Sequence, residues 1–159
     1  MELKEMAMHG FRVAKNIIEE GGEAMPVFLV EGPGGELGVI LTPWKSDGEK
    51  AATFKMMRAM FAEKGIKSYV FVSECWVTKC DKGEEWDGTM PSENPNRLDV
   101  LIVDAHTREG ESYSLMVEVD SLPGGKRAIT KEPENLDTGF QEGRAVNLLM
   151  PEAPAQARH

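Results

Sequence analysis

Four side chains in the middle of this sequence are of the types that hold divalent metals or move protons: Glu74, Asp104, His106 and Glu118. Carboxylate oxygens together with an imidazole form a ligand mixture that a divalent cation accepts. All four fall in stretches dense in β-branched and aromatic residues, 67–78 (KSYVFVSECWVT), 97–106 (RLDVLIVDAH) and 112–120 (SYSLMVEVD), which read as strands. Strand side chains alternate between faces. Val70, Val72, Glu74 and Trp76 therefore share one face of the first strand, Val100, Ile102, Asp104 and His106 one face of the second, and Ser114, Met116, Glu118 and Asp120 one face of the third. If the three faces coincide, the four groups converge, and the chain reads as a metal-dependent hydrolase or nuclease. Against this stands ordinary exposure, because acids near strand ends reach solvent. A nuclease that pairs an Asp with Glu-x-Lys on a neighbouring strand also fits poorly, since Asp120 stands where the lysine belongs.

Nucleophilic chemistry finds less support. Ser73 lacks a Gly-x-Ser-x-Gly setting, and Ser92 is flanked by turn formers rather than a strand-to-helix elbow. His9, His106 and His159 are the only imidazoles, with His159 terminal, so Cys75 with His106 is the one pair worth testing. The Cys75/Cys80 spacing matches neither a redox motif nor half of a zinc ribbon, so both are expected as reduced thiols. The glycines at 32–35 and 124–125 lack the spaced Gly-Lys-Ser/Thr ending of a phosphate loop. No cofactor is implied.

Glu74 also has a structural reading. A carboxylate on the face of Val72 and Trp76 needs a partner or must protonate, and arginine offers a planar fork that fits it. Arg97, at the start of the next strand, or another cation on the loop from 79 to 97, is the expected partner, so that Glu74 and Arg97 form a structural clamp fixing that loop. Trp76 and Trp86, with Ser92 and Arg97, then supply a recognition surface, aromatics and Arg being the usual anchors of interfaces. The segments SECW (73–76) and PSENPNR (91–97) resemble a pattern of small bacterial and phage-borne proteins, in which a strand ending Ser-Glu-x-Trp precedes a loop reading Pro-Ser-x-x-Pro-x-Arg. The matching positions are Ser73, Glu74, Trp76, Pro91, Ser92, Pro95 and Arg97, and the likeness runs over about half the chain. The pattern carries a glutamate two residues after the arginine, where this chain has Asp99. The resemblance implies no assigned activity and transfers no catalytic residue. The expectation is an accessory or regulatory protein, phage- or prophage-encoded as that likeness implies, binding a protein or small molecule through residues 76–97.

The elements that must position these groups follow from hydrophobic spacing. Residues 2–20 place Leu3, Met6, Ala7, Gly10, Phe11, Ala14, Ile17 and Ile18 on one helical stripe ended by Gly21-Gly22. Two β-rich runs, 26–31 and 36–42, flank GPGG as a hairpin. Ser46 with Glu49 fits a capping box opening a helix over 47–64, with Gly65 as its stop. Residues 126–130 make a weaker strand. Helix, hairpin, helix and then three or more strands predict an α+β fold: an antiparallel or mixed sheet of about five or more strands with both helices on one face. At 159 residues with no composition break, residues 1–150 are expected as a single domain and 151–159 as a disordered tail. The net charge of -9 argues against a grip on nucleic-acid phosphate, and the lack of a long apolar run or signal-like start predicts a cytoplasmic protein with no membrane contact.

Overall fold

The computed structural model describes residues 2–78, 97–135 and 147–149. In chain order these form α1 (Leu3–Glu19), β1 (Val27–Glu31), β2 (Leu37–Leu41), α2 (Asp47–Lys64), β3 (Ser68–Thr78), β4 (Arg97–Thr107), β5 (Ser112–Glu118), β6 (Asp120–Ser121), β7 (Arg127–Ala128) and β8 (Glu134–Asn135). Six strands make one sheet in the order β2-β1-β3-β4-β5-β8, every neighbour antiparallel, while β6 and β7 form a two-stranded ribbon. The fold is α+β, built on a single sheet. No described helix is long and apolar enough to cross a membrane.

Local signals set the element ends. Gly22 N–H donates to Ile17 O at 2.8 Å past the end of α1, with Gly21 at φ 95°. Ser46 Oγ accepts from Glu49 N–H at 3.1 Å and opens α2, and Gly65, left-handed at φ 65°, closes it. In the β1–β2 hairpin Gly35 N–H donates to Gly32 O at 3.0 Å and Gly35 takes φ 84°, a type I turn followed by a left-handed residue. Arg108, beyond β4, donates to Phe61 O and Ile66 O and ties the end of α2 to the sheet.

The helices lie on opposite faces of the sheet, not on one as the pattern suggested. β3 is apolar on both sides, so each face needs a cover. Even-numbered Val70 and Val72 pack under α1 with Met6, Phe11, Ala14, Ile18, Leu101 and Val103. Odd-numbered Tyr69 and Phe71 pack under α2 with Phe28, Val30, Met57 and Phe61. This second core is aromatic: the Phe28 ring lies 4.9 to 6.0 Å from those of Phe54, Phe61, Tyr69 and Phe71. In α2 only Met57 and Phe61 are fully buried, and Met56 is exposed, so that helix covers the sheet with a narrow face.

Candidate functional site

The β3–β4 register decides which chemistry-bearing side chains meet. Glu74 stands opposite Leu101, Trp76 opposite Asp99 and Phe71 opposite Asp104. Directly paired residues share a face, so Glu74 and Trp76 lie on the α1 side and Asp104 and His106 on the α2 side. Glu118, opposite Val100, joins the latter side but sits four residues along from Ser114, the partner of Asp104, about 13 Å away. The expected convergence of Glu74, Asp104, His106 and Glu118 therefore fails, and no group of three potential metal ligands exists among the described residues. Cys75 and His106 share a face but stand six residues apart in the pairing, about 20 Å, which removes that nucleophile pair.

Glu74 is clamped, but not by Arg97. Its carboxylate takes Arg127 Nη1 on Oε1 and the Ala24 N–H on Oε2 at 2.6 Å, while Arg127 Nη2 donates to Gly22 O at 2.8 Å. The guanidinium thus ties β3 to the turn after α1, and the hydrogen bond from Arg127 to Glu74 is the main cause that raises the Arg127 pKa. Both side chains are about three-quarters or more covered. Arg97 pairs across from Thr78, too far along the ladder to reach Glu74, and lies instead over the Trp76 ring, its Cζ 4.3 Å from the centroid. Sequence spacing missed Arg127, although a lone arginine before Ala128 and Ile129 in a short strand pattern was a usable signal.

Trp76 is 48% exposed, an indole standing on β3 with the Arg97 guanidinium over its ring. Trp86 and Ser92, the other two residues assigned to a recognition surface, lie outside the described residues, as does the 151–159 tail.

On the opposite face Asp104 and His106 do come together. His106 Nε2 lies 2.9 Å from Asp104 Oδ1 without forming a hydrogen bond of acceptable geometry, and Ser114 Oγ donates to the same oxygen at 2.6 Å. Both side chains are about nine-tenths buried. The Tyr69 ring packs on His106 at 5.4 Å, and the Tyr69 hydroxyl accepts from Leu148 N–H at 3.1 Å. Burial pushes the Tyr69 phenol well above its ordinary 10.0. Ser bonded to Asp, with His on the same oxygen, leaves no serine hydroxyl against an imidazole base, so this is not the arrangement of a hydrolytic triad. Glu118 binds Lys131 Nζ at 2.7 Å, and Asp120 accepts from Thr130 Oγ1 at 2.6 Å, which lowers the Asp120 pKa.

One concavity stands apart from both places. A groove of about 380 Å³ runs between α1 and the β1–β2 hairpin, walled by Val13 and Ile17, floored by Leu29, Val39 and Leu41, and ended by Met25. No protein-family model, no curated protein and no solved structure matches the chain.

Proposed function

We propose that the chain is a binding protein, an accessory or regulatory factor of the cytoplasm, phage- or prophage-borne by its sequence resemblance, that engages a protein or small-molecule partner through the surface around Trp76 and Arg97. The observation that carries this reading is the half-exposed Trp76 indole with the Arg97 guanidinium at 4.3 Å, held at the end of the longest strand pair beyond the cover of α1. A large apolar ring normally turns inward; one presented on a strand and stacked by a cation has its entropy of ordering already settled, which favours a recognition anchor. The Glu74–Arg127 clamp beneath it supports rigidity of the platform. The metal-hydrolase reading needs Glu74 beside Asp104, and the two lie on opposite faces of the sheet.

The test is affinity capture of a partner with the parent protein, followed by titration of that partner against Trp76→Ser and Arg97→Ala. Each change is expected to weaken binding tenfold or more while leaving the melting temperature within about 2 °C, the range of an exposed substitution. Unchanged affinity in both variants would remove the surface from consideration. Loss of an activity on EDTA treatment would return the metal reading.

A further inference from the structure

We propose that the open edge of β2 is a homodimer interface, in which two copies pair β2 antiparallel about a two-fold axis at Val39 and join their six-stranded sheets into one. The proposal is independent of the Trp76 surface, which lies on another strand.

β2 is the terminal strand of the sheet. On its inner side, Gly32 N–H donates to Glu36 O at 2.8 Å and Thr42 N–H to Pro26 O at 3.0 Å. Hydrogen-bonded pairs alternate along an antiparallel ladder, so residues 36, 38, 40 and 42 bond to β1 while Leu37, Val39 and Leu41 turn their N–H and C=O groups outward. The same three residues carry the exposed side chains: Leu37 is 58%, Val39 64% and Leu41 67% accessible. Among the described residues, backbone groups without a partner strand and exposed apolar side chains coincide on one strand.

Natural edge strands are usually blunted by lysine, proline, a bulge or an inward charge. Residues 37–41, LGVIL, contain none of these. The strand is also self-complementary. With Val39 opposite Val39 of the second copy, Leu37 falls opposite Leu41 and Leu41 opposite Leu37, so all three outward residues find backbone partners and each apolar side chain meets another. Glu36 falls opposite Thr42, so this register sets no two carboxylates face to face. A chain of net charge -9 repels its copies, and an uncharged edge is where two can approach. Seven residues per copy, at the roughly 30 to 40 Å² per residue of ordinary interfaces, give a total buried area of about 500 Å², below that of a standard specific interface, so the dimer is expected to be weak, reversible and seen at high concentration.

The register makes a sharp test, run on the full chain. Sedimentation velocity from about 1 µM to 500 µM should show the weight-average mass rising toward twofold, more readily at about 0.5 M than 0.05 M NaCl because salt screens the repulsion. Val39→Lys, at an exposed position, should keep the parent's melting temperature and stay monomeric throughout. Val39→Cys should cross-link to itself when oxidised glutathione accepts the two electrons of the new disulfide, since a hydrogen-bonded antiparallel pair sets the two Cα atoms about 5.5 Å apart. Leu37→Cys alone and Leu41→Cys alone should stay at the parent's background level, whereas an equal mixture of them should link. A parent that remains monomeric at 500 µM, a Val39→Lys variant that dimerises as the parent does, or self-linking of Leu37→Cys equal to that of Val39→Cys would each overturn the proposal. In the first case the edge serves a strand from a different protein or none.

Discussion

Arg127 grips Glu74 across 53 residues of chain, and it does so while donating to the Gly22 carbonyl, so one guanidinium joins β3, β7 and the turn after α1. Arg127→Met is expected to cost about 2 to 4 kcal/mol, because it strands a carboxylate that is more than four-fifths covered. Glu74→Gln should cost less, since the amide oxygen still accepts the Ala24 N–H, and the double variant should recover part of the loss. Arg97→Met, which removes the guanidinium stacked on Trp76 and leaves the Glu74–Arg127 pair in place, should cost less than Arg127→Met. Urea denaturation of the four variants checks the order; an Arg97 variant less stable than the Arg127 one would refute the assignment.

Tyr69 makes stability depend on alkaline pH. Its folded pKa is raised above 10.0, chiefly by burial, so its contribution is intact below pH 10.0 and is lost as pH rises further, when the unfolded chain ionises the phenol and the folded one does not. The slope from this group is about 1.4 kcal/mol per pH unit. Tyr69→Phe should be less stable at neutral pH by about 1 to 2 kcal/mol, having orphaned Leu148 N–H, yet show a shallower decline above pH 10. Parallel denaturation series from pH 8 to 11.5 measure the two slopes, and equal slopes would exclude Tyr69 as their source.

Gly10 marks where α1 rests on the sheet. A Cβ there would sit 3.1 Å from Val72 Cγ2 and 3.3 Å from Leu29 Cδ1. Gly10→Ala gains about 1 kcal/mol in helix propensity and loses a similar amount to this crowding, so its net effect should stay within about 1 kcal/mol of zero. Gly10→Val adds two further carbons against the same contacts and should destabilise by about 2 to 3 kcal/mol. Thermal melts of both decide whether the helix can lift off; equal melting temperatures for the two would show that it can.

Phe28 is the hub of the aromatic core, fully buried and in ring contact with four neighbours. Phe28→Ala should cost about 3 to 5 kcal/mol, against less than about 1 kcal/mol for Met56→Ala on the exposed side of α2. Chemical denaturation separates these outcomes, and a mild loss at Phe28 would mean that the cluster collapses around the cavity.

The element ends were legible because they rest on local chemistry: the Ser46 cap, the Gly65 stop and the GPGG turn each act within a few residues. The α2 boundaries follow from the sequence almost residue for residue. What the sequence withheld is relational. Alternation told which residues of β3 share a face but not how that face aligns with β4, and a shift of one residue would have put Glu74 with Asp104. The partner of Glu74 was hidden for the same reason: a neighbour in sequence is easily named, whereas Arg127 is near only after the chain has folded. Both faces of β3 were plainly apolar in the sequence, and that should have argued for one helix on each.

Among the described residues the two cores are separate clusters divided by the sheet, and β3 feeds both, with Val70 and Val72 on one side and the Tyr69 and Phe71 rings on the other. Sliding this strand by a single residue would drive the Tyr69 and Phe71 rings toward the narrow space under Gly10, where an added methyl already crowds, and leave valines to fill a chamber shaped for aromatics. The mismatch in girth between the two sides acts as a key that admits one alignment, so a misthreaded hairpin is penalised twice over and proofreads itself during folding.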